Sequence, residues 1–327
     1  MRLFSLAAAF CLAAPVIARA EVPRVVADTP VVHSLVAQVM GDLGEPTLLV
    51  PPGADLHHMQ LKPSQARALQ RADAIFWVGP ELTPWLSAPL EKLAAKDTAY
   101  ALLMTNQTHL QYWDADAHEA HDDDHSDDDH GDDHDGDHAD HSDDHAASDE
   151  TSTLAIDPHA WLAPRNAQAW VMDIAQVLAA QDPQNERAYL SNATAAAARI
   201  DDMATEVAVT LAPAATTRLF FSHDGFGYFT QNFGLINAGA IASGDAAAPG
   251  AAHLRALHDM VQPAAQSCVF TEPQHSDALA NALLEAYPEL GRGVLDASGS
   301  SLPAGPDLYD TLMRAIADTI AGCHDTP

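Results

Sequence analysis

The stretch DPQNERAYLSNATAAAARIDDMATEVAVTL, from Asp182 to Leu211, decides the architecture. Asp182-Pro183 suits a helix opening, and Gln184–Leu211 then runs on without Gly or Pro. Tyr189, Ala193, Ala196, Ile200, Met203, Val207 and Leu211 recur at spacings of three and four, the period of one helical face. A helix of about 28 residues is roughly 42 Å long at 1.5 Å per residue. A Gly/Ser linker would permit a wide hinge; this segment predicts a stiff rod between two bodies. A free-standing coiled coil is the weaker reading, because the apolar stripe is mostly alanine.

The bodies on either side share a rhythm. Before the rod, short apolar runs at Arg24–Asp28, Pro46–Pro51, Ala74–Val78 and Ala99–Met104 alternate with helical stretches such as Val31–Met40 and Ser64–Ala72. After it, Leu219–Ser222, Leu235–Ala238, Cys268–Thr271 and Gly293–Leu295 read as strands, with helices near Ala251–Met260, Ser276–Ala286 and Pro306–Ile320. Strand and helix in alternation argue for parallel sheets covered on both faces. The expected fold is therefore α/β, with two (β/α)4-type lobes of parallel sheet joined by a long rigid helix. The first lobe is expected over residues 21–165 and the second over 214–327. A helical connection spans 166–213 and includes the rod at 182–212.

Composition sets further bounds. The 327-residue chain carries a net charge of −31, from 46 acids against 15 bases. Such a balance excludes a nucleic-acid binder that works by neutralising phosphates. The charge is uneven: residues 114–150 hold 18 acids and 8 histidines without one Lys or Arg. That low-complexity insertion in the first lobe cannot bury enough apolar surface to fold alone. At the N-terminus, Arg2, the apolar run Leu3–Ile17 and Ala18-Arg19-Ala20 describe a secretory signal peptide at residues 1–20, cleaved after Ala20. The alternative is an N-terminal anchor, but the run is short and Pro15 interrupts it. No later stretch is apolar enough to span a membrane, so an exported, soluble monomer is expected. Removing the leader with Cys11 leaves Cys268 and Cys323, an even pair that reads as a disulfide in an oxidising compartment; a two-thiolate metal site is the alternative.

Histidines carry the chemistry. His118, His121, His125, His130, His134, His138, His141 and His145 punctuate the acidic insertion at every third to fifth position. Aspartates alone would give solubility; imidazoles add nitrogen donors for borderline-soft metals, so loose, exchangeable metal sites are expected there. Three more lie in a different setting. His57 follows the second strand in Gly53-Ala54-Asp55-Leu56-His57-His58, His159 follows the insertion in Asp157-Pro158-His159, and His223 ends a strand in Phe221-Ser222-His223. Ligands of parallel α/β sheets sit beyond the carboxyl ends of strands, so these imidazoles are expected to meet in the cleft between the lobes. Three His nitrogens leave one position on Zn²⁺ for a carboxylate or water, and Asp296, after the strand at Gly293–Leu295, is the natural fourth candidate. His33, His109, His253, His258, His275 and His324 read as structural or surface residues, and only one of His57 and His58 should face the metal.

At these residues the chain resembles the zinc ABC-transporter solute-binding proteins of the ZnuA type. The likeness rests on Pro52–His57 with Leu61-Lys62-Pro63-Ser64, on Ala72-Asp73 and Trp77–Glu81, on His159–Pro164, on Phe221–Phe229 and on Cys268–Gln274, in order along the chain. The resemblance implies a periplasmic receptor with zinc at the lobe interface, His57, His159 and His223 as ligands, and Asp296 or water as the fourth. It also implies a Cys268–Cys323 disulfide and an inner-membrane ABC permease as partner. Some zinc members carry an acid just before the first ligand; Leu56 stands there in this chain. Other readings are a periplasmic zinc buffer or chaperone without a transporter, a manganese-type receptor, and a zinc hydrolase. The hydrolase is disfavoured because no H-E-x-x-H occurs and no general base beyond Glu81 or Glu272 offers itself, so no enzymatic activity is expected.

Overall fold

A computed structural model describes residues 22–54, 56, 57, 59–114, 154–242, 255, 259, 261, 266–273 and 278–323. The signal peptide read at 1–20 and the eight histidines of the insertion lie outside them, as does most of the helix expected at Ala251–Met260.

The first sheet is built from β1 (Val25–Ala27), β2 (Thr47–Leu48), β3 (Ala74–Trp77) and β4 (Ala99–Ala101), in the order β2-β1-β3-β4 and parallel throughout. Its helices are α1 (Pro30–Met40), α2 (Pro63–Arg71) and α3 (Pro84–Leu93). The second sheet joins β7 (Arg218–His223), β8 (Ile236–Ala242), β9 (Ser267–Thr271) and β10 (Gly291–Val294), again parallel, in the order β10-β9-β7-β8. With it go α6 (Gly227–Phe233), α7 (Ala278–Ala286) and α8 (Leu308–Ala321). The two sheets thus repeat one topology. β1 and β3 are buried along their whole length, as expected of strands covered on both faces. The four strands of the first sheet are shorter than their apolar runs. Leu102 and Leu103, for instance, leave β4 for a single 3₁₀ turn that buries both side chains.

Between the sheets run α4 (Pro164–Gln181) and α5 (Glu186–Leu211), the rod. The buried residues of α5 are Tyr189, Ala193, Ala196, Ile200, Met203, Val207 and Leu211, the stripe read from the sequence. Its start is later than Asp182-Pro183 suggests. The Asp182 carboxylate accepts hydrogen bonds from Asn185 Nδ2 (2.6 Å) and Tyr189 Oη (3.1 Å), which closes a turn ahead of the helix. The rod does not stand free: α1, α4 and α8 pack along it. One apolar core therefore runs from Val31 and Leu35 of α1 through Ile200 and Met203 to Leu308 and Tyr309 of α8. Polar ties reinforce it. Ser34 Oγ and Gln38 Nε2 both donate to Pro306 O at 2.9 Å, and Arg199 donates to Gln38 Oε1 at 3.0 Å.

One feature went unread in the sequence. The insertion is bracketed by an antiparallel pair, β5 (Tyr112–Asp114) and β6 (Leu154–Ile156), with Tyr112 opposite Ile156. Strands about two to five residues apart would read as a hairpin; here the long polar insertion hides the pairing. As expected from the sequence, Cys268 and Cys323 form a disulfide, with Cα atoms 6.2 Å apart, that ties β9 to the end of α8. Closing 55 residues contributes about 4 kcal/mol in the chain-entropy account.

At the end of β1, Asp28 is fully buried and accepts hydrogen bonds from Thr29 N (2.7 Å) and Val78 N (2.9 Å), joining β1 to β3. Burial pushes its pKa up to about 7, and those hydrogen bonds pull only part of the way back. A carboxyl that holds its proton more tightly in the fold contributes stability fully below its unfolded pKa and loses it as pH rises through the folded one. Asp28→Asn, which cannot ionise, should therefore gain on the natural protein in urea midpoint as pH climbs from about 4 to about 7, and level off above about 8. A midpoint difference that stays constant over that window would contradict this account of Asp28.

Candidate metal centre

The carboxyl ends of β7 and β9 place the first imidazole. β7 ends in Phe221-Ser222-His223, and Glu272 follows the last residue of β9. Ser222 Oγ donates to Glu272 Oε1 at 2.8 Å, and the same oxygen meets His223 Nδ1. Both His223 and Glu272 are buried. The ring of His223 folds back over Gly225, where an added Cβ would stand 2.2 Å from Nε2. Phe226 presents to it at 6.2 Å between ring centres.

The second imidazole comes from the turn after β6. Asp157 Oδ1 accepts from the backbone N of His159 and meets His159 Nδ1, both at 2.9 Å. Asp157 and His159 are buried as well. The His159 ring lies 5.3 Å from that of Trp161, whose Nε1 donates to Ala297 O at 2.9 Å. Both rings therefore follow one pattern: Nδ1 against a buried carboxylate, Nε2 pointing away from it. A carboxylate on Nδ1 fixes that nitrogen as the donor and leaves the Nε2 lone pair for a cation.

The two Nε2 atoms approach to 3.4 Å, with ring centres 5.1 Å apart. Two nitrogens held tetrahedrally at 2.0–2.1 Å from one zinc ion are about 3.3–3.4 Å apart, and their ring centres about 5.2 Å. The pair stands at the spacing of two ligands on one ion.

His57 is the outlying member. Its loop begins with a turn in which Gly53 takes φ 75°, a left-handed conformation that suits glycine, while Ala54 N donates to Pro51 O at 3.2 Å. Trp85 Nε1 donates to Leu56 O (2.8 Å), and Gly53 N donates to Ser300 O (3.1 Å) from the second half of the chain. The His57 ring centre lies 6.1 Å from that of His159, about 1 Å beyond the tetrahedral spacing. Accordingly, among the described residues no three His, Cys, Asp or Glu side chains already close on one point.

Asp296 is engaged elsewhere. Its Oδ1 accepts from Ser298 N (3.1 Å) and Oγ (2.8 Å), and its Oδ2 from Ser301 N (2.8 Å) and Oγ (2.6 Å). Burial would raise its pKa, but these four hydrogen bonds outweigh it and hold the carboxyl below the usual range. It borders a small cavity with Leu302, Leu312 and Ile316 of α8 and its approach. Of the other histidines, His33 is buried with Nε2 at 3.1 Å from Pro46 O, a structural role, and His109 is exposed. His58, His253, His258, His275 and His324 lie outside the described residues.

Sequence reasoning missed the supporting residues. Asp157, two positions before His159, and Gly225, two positions after His223, are local to their imidazoles; Glu272 reaches His223 only through the fold. Glu272, weighed as a general base, sits behind the His223 ring on Nδ1 and not on the side where Nε2 faces His159.

The chain matches the family described as zinc-uptake complex component A, periplasmic (ZnuA), over residues 25–323. It is 44% identical over 306 residues to the high-affinity zinc uptake system protein ZnuA of Paracoccus denitrificans, covering 94% of this chain and 93% of that protein. The protein of the same name in Brucella abortus is 36% identical over 296 residues, with 89% and 88% covered. Among solved structures, a ZnuA crystal structure superposes with a TM-score of 0.70 at 21% identity, over 92% of this chain and 99% of that one. The solute-binding protein FpvC of Pseudomonas aeruginosa, solved in complex with Mn²⁺, gives 0.70 at 18% identity, over 93% and 98%. At those identities the two structures speak for the fold alone.

Proposed function

Because the chain belongs to the ZnuA family of periplasmic zinc-uptake components, we propose that it captures Zn²⁺ with His57, His159 and His223 and hands the ion to an ABC permease. The single observation that carries this reading is the 3.4 Å approach of two Nε2 atoms whose Nδ1 partners are buried carboxylates. Two lone pairs aimed at each other repel; a cation between them turns that repulsion into two coordinate bonds. Nitrogen donors favour zinc over manganese, whose sites take more carboxylate oxygen. His57, on a loop hinged at Gly53, completes the set by closing about 1 Å on the pair. The fourth position falls to Asp296, released from its serines, or to water. Water is the simpler occupant, since Asp296 would give up hydrogen bonds to reach the ion.

The reading is of a receptor and not a hydrolase: the two buried carboxylates orient imidazoles and neither faces the open side of the ion. Among the described residues no helix is long and apolar enough to cross a membrane. Export with cleavage after Ala20 would deliver the chain to the compartment where the family acts. The insertion histidines would gather zinc weakly near the tight site. Calorimetric titration of the full mature chain and of a variant lacking residues 117–147 tests this division. The deletion should keep one tight zinc per chain and lose the weaker ones. A tight site that vanished with the insertion would defeat the assignment of His57, His159 and His223.

A further inference from the structure

Five residues from the end of β7 onward bear on the surroundings of both imidazoles. His223 is itself one of them, Gly225 makes room for its ring and Phe226 flanks it. The next two residues turn to the other side of the site. Gly227 backs onto Asp157, so that an added Cβ would stand 3.3 Å from Asp157 Oδ2. Tyr228 is fully buried, and its hydroxyl accepts from Gln111 N (2.7 Å) and donates to Asp157 O (3.2 Å). Gln111 and Asp157 are the feet of the β5–β6 pair, joined by Asp157 N to Gln111 O at 3.0 Å. One hydroxyl from α6 therefore pins both strands of an element from the first half of the chain, at the residue whose carboxylate aims His159.

We propose that Tyr228 is a positioning residue for zinc: its hydroxyl sets the Asp157–His159 unit against His223, so that both imidazoles are held, and let go, by movement of the single segment 223–228. The inference rests on the metal site proposed above and adds how that site is regulated. Separation of the two sheets would draw His223 off the ion. In the same motion it would remove Tyr228 and Gly227 from Asp157, freeing His159 to turn. Loss of one ligand thus loosens a second, and a site tight in the closed receptor empties in one step. Burial raises the pKa of the Tyr228 hydroxyl, which keeps it a donor to Asp157 O at any working pH.

The test uses the full mature chain loaded with Zn²⁺ for kinetics and with Co²⁺ for its ligand-field spectrum. Tyr228→Phe keeps the buried ring and removes only the hydroxyl. Zinc release to a chelator should quicken by about tenfold, the lower end for outer contacts of a metal ligand, and the visible cobalt bands should shift and weaken as the site departs from tetrahedral. Unchanged release overturns the proposal, and so does faster release with an unchanged cobalt spectrum, which would mean that the ring had not moved. Should Tyr228→Phe not fold, Gly227→Ala presses on Asp157 from the same segment and is expected to give the same pair of changes, with the same outcomes overturning the proposal. His159→Ala serves as the reference: if it still binds zinc tightly, the metal-site reading itself fails, whereas its loss of binding beside an unaffected Tyr228→Phe protein sinks this inference alone.

Discussion

Replacing His223 or His159 by alanine is expected to remove high-affinity zinc binding, with a loss of about a thousandfold in affinity. A zinc site in a folded chain is worth about 10–16 kcal/mol at neutral pH over its ligand set, so one of three protein ligands carries about 4 kcal/mol, and each 1.4 kcal/mol is a factor of ten. The loss should exceed that of the bond alone, because the partner carboxylate is left behind. Without His223, Glu272 keeps Ser222 as a donor but loses the imidazole; without His159, Asp157 keeps the backbone N of residue 159 but loses the ring. These buried carboxylates make alanine at 159 or 223 costly to the fold as well. His57→Ala is the cleaner variant, since His57 is only partly buried, and its effect on zinc should stand without a fall in thermal stability. Competition against a chelator of known affinity, paired with thermal unfolding of the metal-free proteins, separates the two effects. Retention of tight binding in any of the three variants would exclude that residue from the site.

Gly225→Ala should weaken zinc binding by about a hundredfold, the upper end for residues that orient a metal ligand, although Gly225 offers no donor atom. A Cβ at this position would lie 2.2 Å from His223 Nε2 and 2.7 Å from Cε1, distances no pair of unbonded atoms tolerates. The backbone there cannot retreat easily, because Gly225 N donates to His223 O at 3.0 Å. The ring must give way. It is gripped at Nδ1 by Glu272, so it either breaks that contact or swings Nε2 away from His159. Each outcome spoils the pair of nitrogens at tetrahedral spacing. The apo fold should survive, since the substitution removes no hydrogen-bonding group and no apolar side chain. Zinc titration followed by the imidazole resonances of His159 and His223 would show the change; an alanine variant with unaltered affinity would mean that the ring has room the geometry does not show.

Much of this molecule was legible from residue order. The long helix announced itself because Tyr189, Ala193, Ala196, Ile200, Met203, Val207 and Leu211 keep a helical period over about six turns with no Gly or Pro between them. His57 and His223 were singled out as candidates because each follows an apolar strand, and parallel sheets gather such positions at one end. The β5–β6 pair escaped, since its strands are three residues each and are parted by the acidic insertion. Glu272 escaped because nothing in Thr271-Glu272-Pro273 says that β9 lies beside β7.

Local chemistry along the chain settled which segments are strands and helices, which side chains are buried and which histidines end strands, because periodicity and turn residues act over a few positions. Relations between distant segments were settled only when the sheets packed. That His159 and His223 stand 3.4 Å apart, that each leans on a carboxylate, and that the rod is clasped by α1, α4 and α8 are consequences of close packing across the core. Packing of that kind fixes distances between residues far apart in the chain, and such distances leave no trace in the order of the residues.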